Sequence, residues 1–318
     1  MKTIGANGYI LVTGAGGLLG GWVVSQLASL GYRVLATDVS DAVATFPAGV
    51  VSESGDIRDR KYLDELFGTY EVSSVVHCAG LLQFTCERQP LMAVDVNVQG
   101  TINVLASAQL YRVGRVVMMS TSAVYGNQTS SLSEAAMIGA PHGLVGVYSA
   151  TKWLAERVGI ALKESGAGPE FVAFRLGFVF GLGRPRSAGL SDVIQRIYGS
   201  LLRGETFHVS EASGHETWHF VHVLDVCESV VAALVSEQDP TGTYNVAGPP
   251  GMRMSLNTFI EEVSKAAGRP SKGTLTGRAA SGPELDTRRL TECIGYEPRF
   301  TIERAVRYDQ DRLQSQGG

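Results

Sequence analysis

The stretch Tyr9–Gly20, YILVTGAGGLLG, decides the fold of this 318-residue chain. It opens with a short apolar run, Tyr9–Thr13, which predicts a buried strand. After the glycines, apolar residues recur at helical spacing over Leu18–Leu30. Glycines between a strand and a helix let the backbone approach a pyrophosphate at the helix N-terminus. We therefore predict a dinucleotide site that includes Gly14, Gly16, Gly17, Leu18, Leu19 and Gly20.

An acidic residue after the second predicted strand, Arg33–Thr37, indicates which dinucleotide is bound. Asp38 stands 18 residues after Gly20, close to the ~20 at which a carboxylate binds the ribose 2′-hydroxyl. A carboxylate repels a 2′-phosphate, and the three residues that follow Asp38 contain no arginine. The expected cofactor is therefore NAD. Further along the chain, Asp56 and Ile57 are predicted to contact the adenine of this cofactor.

Strand and helix patterns alternate along the first half of the chain. Further strand-like runs are Ser74–Cys78, Arg115–Ser120 and Phe171–Leu176, and the predicted helices between them are Arg60–Phe67, Pro90–Leu110 and Val147–Lys163. Strands with crossover helices predict an α/β fold with a doubly wound parallel sheet of the Rossmann type. After about Gly181 this rhythm ends, which predicts a smaller C-terminal α/β lobe that binds substrate. We expect an NAD-binding domain over 1–180, with 219–247 returning to it, and a mainly substrate-binding lobe over 181–318.

The composition limits the class of protein. With 44% hydrophobic and 18% charged residues, the chain can form a core, which excludes intrinsic disorder. A formal net charge of −4 argues against nucleic acid as a partner, and no apolar run approaches the ~18 residues of a membrane helix. Four scattered cysteines without a CxxC pair are typical of reduced thiols. We expect a cytoplasmic enzyme with a small-molecule substrate, no nucleic acid, no membrane segment and no signal peptide.

A tyrosine and a lysine stand four residues apart in Tyr148-Ser-Ala-Thr-Lys152. On a helix they lie on one face, and an ammonium beside a phenol favours the phenolate, so the tyrosine can exchange protons near neutral pH. Taken alone, the spacing is common on amphipathic helices and favours a surface pair. Upstream, however, Ser120–Gly126 (STSAVYG) follows a predicted central strand, which places a hydroxyl group at the edge of the cofactor site.

A second motif, His215-Glu-Thr-Trp-His219, has the HExxH spacing of zinc proteases. That motif binds zinc only on a helix, whereas here it runs into a strand-like stretch, Phe220–Val223. In an extended chain the two histidines stand ~13 Å apart, too far to share one ion at ~2.1 Å. We therefore expect no metal site.

Nine motifs together resemble the extended short-chain dehydrogenases/reductases, the NAD-dependent epimerase/dehydratase family. In chain order they are TGAGGLLG (Thr13–Gly20), HCAG (His77–Gly80), VNVQGT (Val96–Thr101), STSAVYG (Ser120–Gly126), YSATK (Tyr148–Lys152), RLGFVFG (Arg175–Gly181), FVHVLDV (Phe220–Val226), YNVAG (Tyr244–Gly248) and LTECIGYEP (Leu290–Pro298). The resemblance covers nearly the whole chain. It implies that Tyr148 is the general acid/base, that Lys152 lowers its pKa and binds the nicotinamide ribose, and that Thr121 hydrogen-bonds the reacting oxygen.

The resemblance also implies further cofactor contacts and a partner. Ala79 and Gly80 are expected along the path of the pyrophosphate and ribose, and Asn97 is expected near the cofactor and the helix that carries Lys152. Related proteins pair two helices into a four-helix bundle, so the resemblance implies a homodimer through Pro90–Leu110 and Val147–Lys163.

Departures from the family pattern narrow the chemistry. Family members that eliminate water carry Asp-Glu where this chain has Ser122 and Ala123, so elimination is disfavoured. Related decarboxylases keep a glutamate at the position of Ala123, so decarboxylation is disfavoured as well. Hydride transfer at a secondary alcohol carbon of a sugar or sugar derivative remains, by an epimerase or a dehydrogenase. Nucleotide-sugar enzymes commonly carry asparagine and arginine at Phe178 and Trp218, and losing the arginine removes a phosphate contact.

Those departures leave the substrate open. A dehydrogenase of a smaller non-nucleotide alcohol or hydroxy acid is one alternative, and a non-catalytic NAD(H)-binding regulatory protein is another. Loop arginines at 184, 186 and 278 are candidates to replace the lost phosphate contact. The candidate substrate residues are Gln83, Ser122, Phe178, Arg184, Trp218 and Arg278.

Overall fold

The computed structural model describes residues 8–40, 46–128, 130–139, 143–183, 190–278 and 281–316. Its centre is a seven-stranded sheet in which every pair of neighbours is parallel. From one edge to the other the strands, numbered in chain order, are β3 (Val51–Ser54), β2 (Val34–Asp38), β1 (Tyr9–Thr13), β4 (Val72–His77), β5 (Arg115–Thr121), β7 (Glu170–Leu176) and β11 (Gly242–Val246).

Helices cover both faces of this sheet, as the side chains of the strands require. Along β1, Ile10 and Val12 belong to one hydrophobic cluster and Leu11 to another, because successive side chains of a strand point to opposite faces. Among the described residues, five helices pack on the sheet: α1 (Leu18–Ser29), α2 (Arg60–Thr69), α5 (Thr101–Leu110), α6 (Gly146–Glu164) and α8 (Val223–Val235). The first cluster lies under α1 and α8, and the second lies under α2, α5 and α6. The predicted doubly wound parallel sheet is confirmed.

The predicted elements of the first half lie within two residues of the observed ones. The predicted helix Pro90–Leu110 is helical throughout, but it has three parts. A short α4 (Pro90–Ala93) leads into a π-helical stretch, Val94–Gly100, which leads into α5. A short α3 (Gln83–Arg88) precedes it.

The described residues also form three smaller sheets and several further helices. In one small sheet β10 (Thr217–His222) pairs in parallel with β8 (Phe178–Phe180) and antiparallel with β12 (Arg253–Ser255). Two-stranded sheets pair β9 (Phe207–Val209) with β13 (Gly273–Leu275) and β6 (Ser131–Leu132) with β14 (Glu284–Leu285). The other helices are α7 (Leu190–Arg203), α9 (Leu256–Ala266), α10 (Ile302–Gln316) and a π-helical turn, Leu290–Ile294.

Because the strands of the central sheet are parallel, the carboxyl ends of four of them lie along one edge of the sheet. There β1 passes into Gly14, β2 ends at Asp38, β4 ends at His77 and β5 ends at Thr121. In a doubly wound sheet this edge is where ligands bind. Within the described part of the chain, no helix has the length and apolar character that a membrane crossing demands.

Candidate active site

A cleft of about 660 Å³ opens at this edge. The glycine loop after β1 forms one end of it, with Gly14, Gly17, Leu18, Leu19 and Gly20 in its wall. Two of these glycines have no room for a side chain. A Cβ at Gly14 would stand 2.5 Å from the amide nitrogen of Ala79, and a Cβ at Gly20 would stand 2.1 Å from the carbonyl oxygen of Gly14. Gly14 also has a positive φ of 66°, which favours glycine.

The predicted ribose-binding carboxylate lies against the glycine loop. Asp38 accepts hydrogen bonds from the backbone amides of Gly16, at 3.0 Å, and Ser40, at 2.9 Å. The segment with the two residues predicted to contact adenine lies beside Asp38, because the backbone amide of the preceding Gly55 donates to the carbonyl oxygen of Asp38. The next residue, Asp56, pairs with Arg58 at 2.6 Å, which holds the pKa of the Asp56 carboxyl below its usual value.

The second predicted adenine residue is buried. Ile57 is 5% exposed, and its carbonyl oxygen accepts a hydrogen bond from Asn103 Nδ2 at 3.0 Å. It also fills the space beside Gly100, where a Cβ would stand 2.6 Å from Ile57 Cδ1. Ile57 therefore packs the loop after β3 against the start of α5, and its contact with adenine stays a prediction.

The three predicted catalytic side chains line one wall of the cleft. Thr121 ends β5 and accepts a hydrogen bond from the amide of Ala123 at 3.1 Å, which caps the short 3₁₀ turn that follows. Tyr148 and Lys152 stand one turn apart on α6. The Thr121 hydroxyl lies close enough to the Tyr148 phenol to influence its pKa. Thr121 at the end of β5 and Tyr148 and Lys152 on α6 therefore line the same cleft.

Burial governs the proton affinities of this group. It raises the pKa of Tyr148 to about 12, although the nearby Thr121 hydroxyl acts in the lowering direction. It lowers the pKa of Lys152 to about 8, against a raising effect of nearby Cys78 and Glu156. The resemblance implied that Lys152 lowers the pKa of Tyr148; in this structure burial outweighs any such effect. Lys152 Nζ lies instead beside Gly80, 3.6 Å from where a Cβ would stand.

Asn97 ties the loop after β4 to the catalytic helix. Its Oδ1 accepts from the amide of Leu81 at 2.7 Å, and its Nδ2 donates to the carbonyl oxygen of Leu81 at 3.1 Å. The same Nδ2 donates to Thr151 Oγ1 at 3.2 Å, next to Lys152. Gly80 is held between them, since a Cβ there would stand 3.1 Å from Asn97 Oδ1. Asn97 thus fixes the distance between this loop and α6.

The loop after β4 is also held from below by a buried histidine. His77 Nδ1 lies 2.7 Å from Thr13 Oγ1, and its Nε2 lies 3.0 Å from Thr101 Oγ1. The amide of Ala79 points back to Thr13 Oγ1, at 3.4 Å. Burial lowers the pKa of His77 to about 3, so it stays neutral and joins β1, β4 and α5.

The predicted substrate residues divide into three groups. Gln83, Ser122, Phe178 and Trp218 line the cleft. Arg278 is exposed and is not part of its wall. Arg184, together with Arg186, lies outside the described residues.

Asp192 and Gln195 of α7 are among the wall residues that the sequence reasoning missed. They stand three positions apart and are 8% and 5% exposed. Polar residues at helical spacing on the buried side of an amphipathic helix are the signal that would have found them. The chain after Gly181 showed no clear pattern in which to look for that signal.

The HExxH sequence lies on β10 and the loop before it, where Glu216 and His219 hydrogen-bond to backbone groups of neighbouring segments. His219 Nε2 lies 3.0 Å from the carbonyl oxygen of Gly248, and its Nδ1 accepts from the amide of Leu285 at 3.1 Å. Glu216 accepts from the amides of Ser213 and Gly214. Over the described ranges, no three histidine, cysteine or acidic side chains are grouped as a metal site needs.

The sequence profile of the NAD dependent epimerase/dehydratase family matches residues 10–247. The chain belongs to this family. It is similar to the UDP-glucose 4-epimerase of Rhizobium meliloti, with 27% identity over 93% of this chain and 94% of that protein.

Two solved structures show how widely the fold is used. The UDP-glucose 4-epimerase of Thermotoga maritima superposes with a TM-score of 0.83 at 22% identity, over 98% of this chain and 100% of that one. A monomeric L-threonine 3-dehydrogenase from a metagenome superposes with a TM-score of 0.82 at 19% identity, over 97% and 100%. Proteins named for different substrates share this architecture, so the fold alone does not select one.

The residues present fit the family's cofactor, NAD. The glycine loop leaves its backbone open at the start of α1, where an anion is stabilised. Asp38 holds a carboxylate beside that loop. Gly80 and Lys152 continue the wall toward the catalytic group. One cleft therefore joins the predicted dinucleotide site to the three predicted catalytic side chains.

Proposed function

We propose that this protein transfers hydride at a secondary alcohol carbon of a sugar or sugar-derived substrate, as an NAD-dependent epimerase or dehydrogenase. One observation carries the proposal: Thr121, Tyr148 and Lys152 line the same cleft as the glycine loop. NAD supplies the hydride acceptor when it is bound. The protein supplies the group that moves the proton and the groups that orient the alcohol.

In this proposal Tyr148 exchanges the proton of the substrate oxygen. With a pKa of about 12 the phenol is protonated at neutral pH, so it is ready to donate to a carbonyl oxygen. In the opposite direction the phenolate must accept the hydroxyl proton. The Thr121 hydroxyl and the Lys152 ammonium stabilise that phenolate and the developing charge on the substrate oxygen.

The dinucleotide contacts are proposed on the same basis. The glycine loop, Gly14, Gly16, Gly17, Leu18, Leu19 and Gly20, would hold the pyrophosphate. Asp38 would bind the adenosine ribose, with Asp56 and Ile57 on the adenine side. Ala79, Gly80, Tyr148 and Lys152 would contact the nicotinamide half, with Asn97 holding their loop and helix together.

Two enzyme classes are compatible with this machinery. The Rhizobium meliloti relative, a UDP-glucose 4-epimerase, supports an epimerase that returns the hydride to the same carbon. The aromatic pair Phe178 and Trp218, with ring centroids 4.7 Å apart, supports a smaller non-nucleotide alcohol or hydroxy acid as the alternative. A non-catalytic NAD-binding protein is disfavoured because a hydroxyl, a phenol and an amine converge at the cleft.

The test is Tyr148→Phe, with Tyr111→Phe at an exposed position as the matched control. We expect Tyr148→Phe to abolish turnover of the alcohol that the wild type uses while NADH still binds, measured by its fluorescence. Tyr111→Phe should keep both. Turnover of Tyr148→Phe at the wild-type rate would contradict the assignment of the proton-transfer group.

The protein is further proposed to be a cytoplasmic homodimer that pairs α4, α5 and α6 with the same helices of a second copy. Exposed apolar side chains on this surface support it, among them Leu91 at 82%, Val94 at 46% and Leu154 at 44% exposed. Four free thiols support a reducing compartment. Light scattering should give twice the chain mass; a protomer mass would contradict the dimer.

The division into two functional regions is also a proposal. Residues 1–180 with 219–247 would bind NAD, and the remainder of 181–318 would bind substrate. The pairing of β11 with β7 supports the return of the chain to the central sheet, and the position of α7 in the cleft wall supports the second assignment.

A further inference from the structure

Helix α6, which carries Tyr148 and Lys152, has no capping side chain at its own N-terminus. The first amides of a helix lack an acceptor within the helix, and a serine, threonine, asparagine or aspartate at the N-cap commonly supplies one. Here the N-cap residue is Val145, whose side chain carries no acceptor and forms no capping hydrogen bond. An acceptor for these amides must therefore come from outside the helix.

A carboxylate of α3 supplies this acceptor. Glu87 Oε2 accepts a hydrogen bond from the amide of Val147 at 3.2 Å, and its Oε1 accepts one from the amide of Tyr148 at 3.3 Å. These amides stand at the second and third positions of α6, which an N-cap side chain normally serves. The positive end of the helix dipole also favours a carboxylate at this place. Glu87 thus caps α6 from a segment 60 residues earlier in the chain.

The first residue of α6 leaves space for the carboxylate. Gly146 has a positive φ of 83°, which favours glycine. A Cβ at this position would stand 2.2 Å from Glu87 Oε1 and 2.8 Å from its Cδ. Any side chain at position 146 would therefore push the carboxylate away from the two amides. The glycine and the glutamate fit each other across two distant segments.

The same contact joins the predicted proton-transfer group to the wall of the cleft. Helix α3 contributes Gln83 and Thr85 to that wall. Its next residue, Cys86, is fully buried, so α3 is anchored on its inner side. Glu87 adds a link on the outer side, to the backbone of Tyr148. Through this link α3 holds its wall residues at a fixed place relative to the start of α6.

We propose that Glu87 is a positioning residue: by accepting the amides of Val147 and Tyr148, it fixes the phenol of Tyr148 relative to the cleft wall on α3. The proposal rests on the proposed hydride transfer, in which Tyr148 exchanges the proton. Glu87 acts through the backbone of Tyr148 and takes no proton itself. The effect on the reaction is expected to be large because a misplacement of about 1 Å can slow catalysis about 100-fold.

Hydrogen–deuterium exchange, resolved to single amides by mass spectrometry, tests the contact in the NAD-free protein without any substrate. In Glu87→Ala the amides of Val147 and Tyr148 should exchange about fivefold faster, the effect of one lost helix cap. The control Glu65→Ala removes an exposed glutamate of α2 and should exchange as the wild type does. Unchanged exchange at both amides in Glu87→Ala would overturn the proposal.

A second variant restores the cap from the other side. Val145→Ser in the Glu87→Ala background should slow the exchange of the same two amides again, because a serine at the N-cap accepts from them. Exchange that stays fast in this double variant would overturn the claim that loss of the acceptor is the cause.

Steady-state kinetics with the alcohol that the wild type uses test the positioning role. Glu87→Ala should lower kcat by about tenfold, because the phenol is no longer held in place, while NADH binds as in the wild type. Glu87→Gln, which keeps an acceptor oxygen, should lie closer to the wild type than Glu87→Ala. Wild-type kcat in Glu87→Ala would overturn the positioning role, and so would an equal loss of NADH affinity. A wild type that turns over no alcohol would contradict the proposed reaction, and the exchange measurement would still decide whether Glu87 holds the start of α6.

Discussion

Replacing Glu156 by glutamine should destabilise the protein more than any surface charge substitution. Glu156 is fully buried on α6, and Arg175 of β7 is 4% exposed. Arg175 Nη2 donates to Glu156 Oε2 at 2.7 Å, and Nε donates to the two carboxylate oxygens at 3.1 and 3.2 Å. Glutamine leaves the guanidinium buried without its counter-charge. Breaking such a pair costs about 3–5 kcal/mol, and urea denaturation of Glu156→Gln measures it.

The matched control is Glu303→Gln on α10. Its partner Arg307 lies 3.1 Å away, but the two side chains are 76% and 74% exposed. An exposed pair contributes less than about 1 kcal/mol because water and salt screen it. If Glu156→Gln lost no more stability than Glu303→Gln, the buried pair would not hold β7 to α6 and the reasoning would be refuted.

Glu156→Gln should also affect the proposed catalytic residues, because Glu156 interacts with Ser120 and Lys152. The Ser120 hydroxyl donates to Glu156, and Ser120 directly precedes Thr121 at the end of β5. Glu156 also raises the pKa of Lys152, which stands one turn earlier on α6. Glu156→Gln should therefore lower the pKa of Lys152 further. A pH profile of NADH binding would record that change as a shift to lower pH.

Two further predictions concern the cofactor cleft. Gly14→Ala should abolish NADH binding, measured as the change in NADH fluorescence. The new Cβ would stand 2.5 Å from the Ala79 amide nitrogen, and the φ of 66° at position 14 favours glycine. Wild-type affinity would contradict the close packing of the loop. The pKa of Lys152 is lowered from 10.5 to about 8, so between these pH values the unfolded chain binds a proton that the folded protein lacks. Stability should rise with pH across that window by on the order of 3 kcal/mol. Lys152→Met should remove the rise in urea titrations, and an unchanged slope would contradict the burial of the ammonium.

The central sheet follows from local patterns in the sequence, and the cleft follows only in part. Apolar runs that end at glycines predicted β1, α1 and their neighbours, because these signals depend on short stretches of chain. The sequence predicted that Tyr148, Lys152 and Thr121 lie together in the cleft. The four-residue spacing places Tyr148 and Lys152 on one helix face, and Thr121 follows a central strand. All three side chains line the same cleft, in agreement with that placement.

The features that sequence reasoning missed depend on contacts between distant segments. Asp192 enters the cleft because α7 packs beside β8, and β8 pairs with β10, some 40 residues later in the chain. The partnership of Glu156 with Arg175 joins a helix to a strand and has no local signature. Burial also reversed the expected direction of the Tyr148 pKa, because its effect depends on how completely the fold encloses the phenol.

The most direct test incubates the purified protein with NAD and, in turn, sugars, polyols, nucleotide sugars and hydroxy acids, and follows the absorbance of the NADH that forms. The products of each mixture are then analysed by NMR. We predict either NADH formation matched by one ketone or lactone, or an inverted carbon without net NADH. In either case the reaction must stop in Tyr148→Phe. Saturable NAD binding with no change in any compound would contradict the claim that this cleft transfers hydride.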